Sequence, residues 1–247
     1  MLKKCYGILP MAGKGERIQP IAFSKELYPI IYQKHHFPIS EFSVKGMINA
    51  GVDEIKLIVN LDKIDIPKYY SHYKNLISIY FYNSPSLPES CLYPLESIHD
   101  EDICLFGLPD TVYEPSDGLL RVRREVEKGA DICLGLFKVK DGSKFDSVKL
   151  RKGGTIAGVL VKKDPPLSNW IWGIWGANGK ALRILKKAIV LQKNKNEKLL
   201  GVGFNTVCKM KNIKMKAIKL SNQYFDIGTM ESLIKLRKAV KGLNINI

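Results

Sequence analysis

The chain has no apolar run near the roughly 18–20 residues that a membrane-spanning helix needs. It has no C-x-x-C pair. Its five cysteines (Cys5, Cys91, Cys104, Cys133 and Cys208) are odd in number and dispersed, which argues against a disulfide framework or a zinc site. None of the four histidines is spaced from a cysteine or a second histidine as a metal ligand would be, and the adjacent pair His35-His36 reads as a surface loop. There is no low-complexity tract, internal repeat or Pro/Gly/Ser-rich linker, so a single domain is expected over 1–247. Met1-Leu2-Lys3-Lys4 leads straight into a strand-like segment without a cleavable-leader pattern, which sets the expectation of a cytoplasmic protein.

Basic residues are abundant, but arginine is scarce. The net charge is +15 from 39 Lys+Arg against 24 Asp+Glu, and only 7 of the 39 are Arg. Residues 1–179 hold 23 basic and 21 acidic side chains (net +2), and residues 180–247 hold 16 and 3 (net +13). Arginine is the residue best suited to bidentate phosphate and base contacts. A lysine excess confined to one quarter of the chain reads as solvated basic faces, and no aromatic-interleaved basic motif accompanies it. A nucleic-acid partner is therefore not expected, nor is a membrane.

Short apolar runs alternate with amphipathic ones. Strands are expected at Cys5–Leu9, Ile55–Asn60, Ile77–Tyr82, Ile103–Gly107 and Asp131–Val139. Helices are expected at Ser40–Ala50, Ile66–Lys74, Leu87–Ile98 and Leu119–Lys128. This rhythm argues for an α/β domain with a largely parallel sheet and helices on both faces. After residue 140 it changes to a hairpin around Lys152-Gly153-Gly154, a strand at Trp170–Trp175, a helix at Ala181–Leu191, a strand at Ile213–Leu220 and a last helix at Glu231–Val240.

Pro10-Met11-Ala12-Gly13-Lys14-Gly15-Glu16-Arg17 follows the first strand, where an α/β sheet presents ligand-binding loops. Two glycines let backbone N–H groups approach phosphate oxygens closely. A Rossmann fingerprint fails because Ile18 stands at the third glycine. A P-loop fails because Glu16 follows Gly15. By themselves the glycines could equally shape a turn.

The stretch from Leu9 to Pro29 resembles the nucleotide-binding signature of the sugar-1-phosphate nucleotidyltransferases (sugar-nucleotide pyrophosphorylases), A-G-x-G-T-R-x-x-P followed by P-K-x-L-x-P. The likeness continues in order through Phe106-Gly-Leu-Pro-Asp110-Thr, Lys162-Lys163-Asp164-Pro165 and Tyr224-Phe-Asp226-Ile-Gly-Thr229. It implies a three-layer α/β/α Rossmann-like (GT-A-like) domain with a mixed, mainly parallel sheet. It also implies transfer of a nucleotidyl group from an NTP, with dTTP or UTP favoured, to a sugar 1-phosphate. No appended acyltransferase or β-helix domain is expected, and self-association into a homo-oligomer stays open.

The resemblance assigns Ala12, Gly13, Lys14 and Gly15 to the nucleotide phosphates, and Arg17 and Lys25 to catalysis. It gives the sugar phosphate to Lys162, with Lys163 the fallback, and places Gly173 along the sugar. Asp110 and Asp226 are the expected ligands of Mg²⁺, which takes one or two carboxylates beside phosphate oxygens. Residue by residue, Asp110 could instead cap a turn, Asp226 could start the Gly228 turn, and Lys162 and Lys163 could be an exposed strand edge.

The chain departs from the family pattern at Glu16 (Thr or Ser in the family), at Ser24 (commonly Pro) and at Val161, where an acid precedes the lysine. Asn83-Ser-Pro-Ser-Leu-Pro88 stands in place of the base-reading stretch. These departures keep two alternatives in play: a non-catalytic nucleotide- or sugar-nucleotide-binding relative, and a cytidylyltransferase acting on another phosphorylated alcohol.

Overall fold

The computed structural model describes residues 3–18, 21–32, 35–193 and 198–239. β1 (Cys5–Met11) is buried along its whole length. Its period-two alternation sends Tyr6 and Ile8 into one core layer and Cys5, Leu9 and Met11 into the other. A small antiparallel hairpin of β2 (Pro29–Tyr32) and β3 (His35–Pro38) follows. His35 and His36 thus belong to a strand rather than a loop, with His36 exposed.

α1 (Ser40–Asn49) ends where Gly51 adopts φ +70°. There the N–H of Val52 reaches Met47 O and that of Gly51 reaches Ile48 O, the double closure of a Schellman turn. Next come β4 (Glu54–Val59), α2 (Asp65–Tyr70), β5 (Ile77–Phe81), α3 (Leu87–Leu92) and β6 (Ile103–Phe106). Both expected long helices here are shortened. The first passes into a 3₁₀ turn at Ser71–Tyr73. The second passes into one at Tyr93–Ser97, where Pro94 lacks the N–H a continuing α-helix would use.

β7 (Thr111–Tyr113), α4 (Gly118–Glu127), β8 (Ile132–Lys138), β9 (Ser147–Leu150), β10 (Ile156–Leu160) and β11 (Trp170–Asn178) follow. The chain continues through α5 (Gly179–Val190), α6 (Leu200–Val207), β12 (Met215–Ser221), β13 (Tyr224–Asp226) and α7 (Met230–Ala239). α6 was not expected from the sequence. It is almost wholly apolar and has no amphipathic stripe to read, and Gly203 lets it close onto Leu185 and Ile189 of α5.

Among the described residues nine strands form one mixed sheet ordered β10-β9-β11-β6-β1-β4-β5, with β8 and β12 joined through β11. β1, β4, β5, β6, β8, β9 and β12 run one way, and β10 and β11 run against them. α1 and α4 cover one face, and α3, α5 and α6 cover the other. The architecture is the three-layer α/β/α arrangement with a mainly parallel sheet. A third small core joins Ile18, Ile30, Ile39, Val112, Ile227, Leu233 and Leu236 beneath α7.

The tightest aromatic contact in the sheet is Phe106 of β6 stacked on Trp175 of β11, with centroids 3.6 Å apart and planes within 2°. Trp175 also meets Phe204 of α6 edge-on at 5.1 Å. It therefore joins the parallel and antiparallel parts of the sheet to a covering helix. Trp175→Ala should destabilise the protein by about 3–5 kcal/mol, the usual range for emptying a buried aromatic site; urea unfolding measures it.

Candidate nucleotide and sugar-phosphate cleft

From β1 the chain crosses to β4 and then β5 on one side, and returns to β6 on the other side of β1. Strand order therefore reverses between β1 and β6, and an open α/β sheet forms its crevice at the carboxyl ends of such strands. There the structure has a cleft of about 1330 Å³. Its lining includes Ala12, Gly13, Lys14, Gly15, Lys25, Asp110, Lys162 and Asp226, so eight of the ten expected site residues share one cavity. Arg17 lies in the short turn Glu16–Ile18, and its side chain falls outside the described residues. Gly173 is not among the cleft-lining residues. It sits at an irregularity in the β11–β8 pairing, where a Cβ would collide with Tyr224 and press on Phe137, so it serves close packing.

The glycine loop is held from behind. Lys63 donates to Met11 O at 2.8 Å, and Asn60 Nδ2 donates to Ala12 O at 3.4 Å. In a trans peptide the carbonyl and the next N–H point oppositely. The N–H groups of Ala12 and Gly13 therefore face away from these two tethers. Gly15 adopts φ +71°, a conformation that favours glycine, and a Cβ there would come 3.1 Å from the Lys25 side chain. A Cβ at Gly13 would meet only open space.

Lys25 Nζ pairs with Asp110 Oδ2 at 2.6 Å, each side chain 17% exposed. Burial alone would lower the Lys25 pKa, but the Asp110 carboxylate outweighs it, helped by Glu26 and Asp226, so the ammonium is held above its ordinary value. Next to Lys25, buried Glu26 accepts two bonds from Lys63, at 2.7 and 2.9 Å. Ser24 is anchored by Asp65, whose two oxygens accept from Ser24 N at 2.7 Å and Ser24 Oγ at 2.6 Å.

Asp110 and Asp226 converge because β13 pairs antiparallel with β7, placing Asp226 opposite Thr111, and Ile227 N donates to Asp110 O at 2.9 Å. Among the described residues no cluster of three His, Cys, Asp or Glu side chains could hold a metal. The Asp110/Asp226 pair nonetheless suits a hard cation that completes its shell with phosphate and water oxygens, since both carboxylates already draw the Lys25 ammonium. Lys162 is exposed and is the single non-glycine at positive φ (28°) among the described residues.

No family model matches the chain. In sequence it is 22% identical over 255 residues to the bifunctional protein GlmU of Bartonella quintana (strain Toulouse), across 96% of this chain. It spans about half of that relative, 55% of its length. Among solved structures, one from Bacillus anthracis described as a glucose-1-phosphate thymidylyltransferase, in complex with sucrose, superposes with a TM-score of 0.82. That match has 17% identity and covers 98% of both chains. A UTP-bound UGPase of Acinetobacter baumannii superposes at 0.75 with 17% identity, over 96% of this chain and 93% of that one. A UDP-glucose pyrophosphorylase of the same organism also reaches 0.75, with 18% identity over 95% and 92%. The chain shares the fold of these three solved structures. Within this fold, Asn83 to Pro88 line the cleft, so the stretch that lacks the base-reading pattern still borders the site. Asn83 Oδ1 is engaged by Leu61 N at 3.1 Å.

Sequence reading missed Lys63, Glu26, Asp65 and Asp146. The first three act through contacts 37 to 52 residues apart in sequence, which no local motif marks. Lys63→Met should cost about 3–5 kcal/mol in chemical denaturation, because it leaves the Glu26 carboxylate buried without its partner. Lys162→Gly should leave stability unchanged or raise it by up to about 1 kcal/mol, because glycine relieves the left-handed backbone. Calorimetry on this variant, run beside the activity assay below, separates backbone strain from side-chain function.

Proposed function

We propose that the protein transfers a nucleotidyl group from an NTP, with dTTP or UTP favoured, to a sugar 1-phosphate, releasing pyrophosphate and an NDP-sugar. The observation that carries this reading is the single cleft at the β1/β6 switch point, which gathers the glycine loop, the Lys25–Asp110 pair, Asp226 and Lys162. The names of the structurally similar proteins support it. The site is read as that of a cytoplasmic enzyme, with self-association left to measurement.

In this reading the backbone N–H groups of the loop 12–15 cradle the triphosphate, and Arg17 grips the leaving pyrophosphate. Lys162 holds the sugar phosphate, one oxygen of which attacks the α-phosphorus in line. The α–β bridging bond breaks, and its electron pair leaves with pyrophosphate. No side chain needs to take a proton, since the phosphate nucleophile is already ionised near neutral pH. Lys25 stabilises charge on the α-phosphate, so the work of the protein is positioning and electrostatics. Asp110 and Asp226 would hold Mg²⁺, which when bound neutralises charge on the phosphate oxygens.

Glu16, which lines the cleft beside Gly15, motivates a second reading: a relative that binds the nucleotide without turning it over. One assay separates them. Pyrophosphate release should be measured with Mg²⁺ over a matrix of five NTPs and several sugar 1-phosphates, with phosphocholine included for the cytidylyltransferase alternative. Turnover should be highest with dTTP or UTP, and Lys25→Ala and Asp110→Ala should each lower kcat/KM by about 100-fold or more. Nucleotide binding without turnover for any pair would establish the second reading. Undiminished turnover in both variants would overturn the site assignment.

A further inference from the structure

The acid that precedes the lysine in the family's E-K-P segment is Val161 here. The structure has a carboxylate beside that residue, contributed by a different segment. Asp146 lies just before β9, lines the same cleft as Val161, Lys162 and Trp172, and is half-buried. The closeness of Asp146 and Val161 can be judged from Gly201 in the first turn of α6. A Cβ built there would collide with Asp146 Oδ2 and lie 2.8 Å from Val161 Cγ2. Two side chains 15 residues apart in sequence thus flank one point at the wall of the cleft.

The Asp146 carboxylate is held in place but not saturated. Oδ2 accepts from Trp172 Nε1 at a long 3.3 Å. The backbone N–H of Lys162 also donates to the carboxylate, and burial pushes its pKa up despite both bonds and the nearby Lys162 charge. An ionised carboxylate offers about four acceptor sites, so these two donors leave capacity for others. The same contact ties Asp146 to the backbone of Lys162, the left-handed residue whose side chain is assigned above to the phosphate of the acceptor.

We propose that Asp146 is the specificity-determining residue of the acceptor half of the cleft, accepting hydrogen bonds from hydroxyls of the polyol carried on the phosphate and thereby replacing an acid at position 161. This rests on the nucleotidyl-transfer reading. It goes further in saying that the acceptor must present hydroxyl donors and in naming the side chain that counts them. A choline-like or other hydroxyl-free phosphorylated alcohol would leave the Asp146 carboxylate desolvated and unpaired, so it should be a poor acceptor.

The test uses the full chain with Mg²⁺, UTP or dTTP, and glucose, galactose and N-acetylglucosamine 1-phosphates, with phosphocholine as the hydroxyl-free probe. Asp146→Ala should raise the KM of the best sugar 1-phosphate by about 10- to 100-fold, the range for losing a hydrogen bond to a charged group. The KM for the NTP should change less than about twofold, since that half of the cleft is untouched. It should also flatten the preference among the three sugars. Adding Val161→Glu to Asp146→Ala should recover part of the lost affinity. A variant that had merely lost the packing of α6 could not do so. An unchanged sugar 1-phosphate KM in both Asp146→Ala and Asp146→Asn, with the wild type active, would overturn this assignment alone. Absence of turnover by the wild type with every pair would overturn it together with the nucleotidyl-transfer reading.

Discussion

The ammonium of Lys63 sits where three segments meet, and the cleft depends on it. It bonds the Met11 carbonyl at the end of β1 and both oxygens of Glu26, the neighbour of Lys25. A charge so nearly excluded from water is tolerable only when its donors are satisfied. The position of Lys63 is therefore tightly constrained, and so are the loop behind which it stands and the turn that carries Lys25. The glycine loop is tethered at its base by Lys63 and Asn60, and carries no side chain at Gly13 and Gly15, where the proposed reading brings the backbone to a ligand. This is the division a phosphate cradle needs.

Charge is distributed to match. Among the described basic residues of 180–247, which carry much of the +13 excess, only Lys198 lines the cleft. Several of these lysines are engaged elsewhere: Lys216 reaches Glu125 at 3.5 Å, and Lys219 lies over the Trp170 ring at 4.8 Å. Lys186 and Lys187 face solvent on α5. The cleft draws instead on a few individually placed cations, Lys14, Lys25, Lys162 and Lys198, and sets Asp110, Asp226 and Asp146 among them. Opposite charges within one cavity suit a uniformly anionic polymer poorly.

Much of the fold was legible because its signals are local. Alternating apolar runs gave the strands, Gly51 marked the end of α1, and the Lys152-Gly153-Gly154 turn gave the β9–β10 hairpin. The failures are equally physical. α6 has no polar face and so no periodicity to detect. The two small two-stranded sheets rest on pairings whose strands are only three or four residues long, and one of them joins residues 111–113 to 224–226. Gly173, which the resemblance placed along the sugar, has a structural use of its own, since its missing Cβ makes room for Tyr224 and Phe137.

The sequence by itself determined the glycine loop after the first strand and the alternation that builds the layered sheet, while Lys25, Asp110, Lys162 and Asp226 became candidates through the resemblance of their ordered motifs to a known family. The loop and the alternation depend on residue type and short spacing, which act through backbone geometry a few residues at a time. Only the tertiary structure decided that these residues share one cavity, that Lys63 and Glu26 brace it, and that Asp146 lies beside Val161. Such contacts depend on strand order, register and the close approach that Gly201 permits to α6. They join residues 15 to over 100 positions apart, so no local pattern in the chain can carry them.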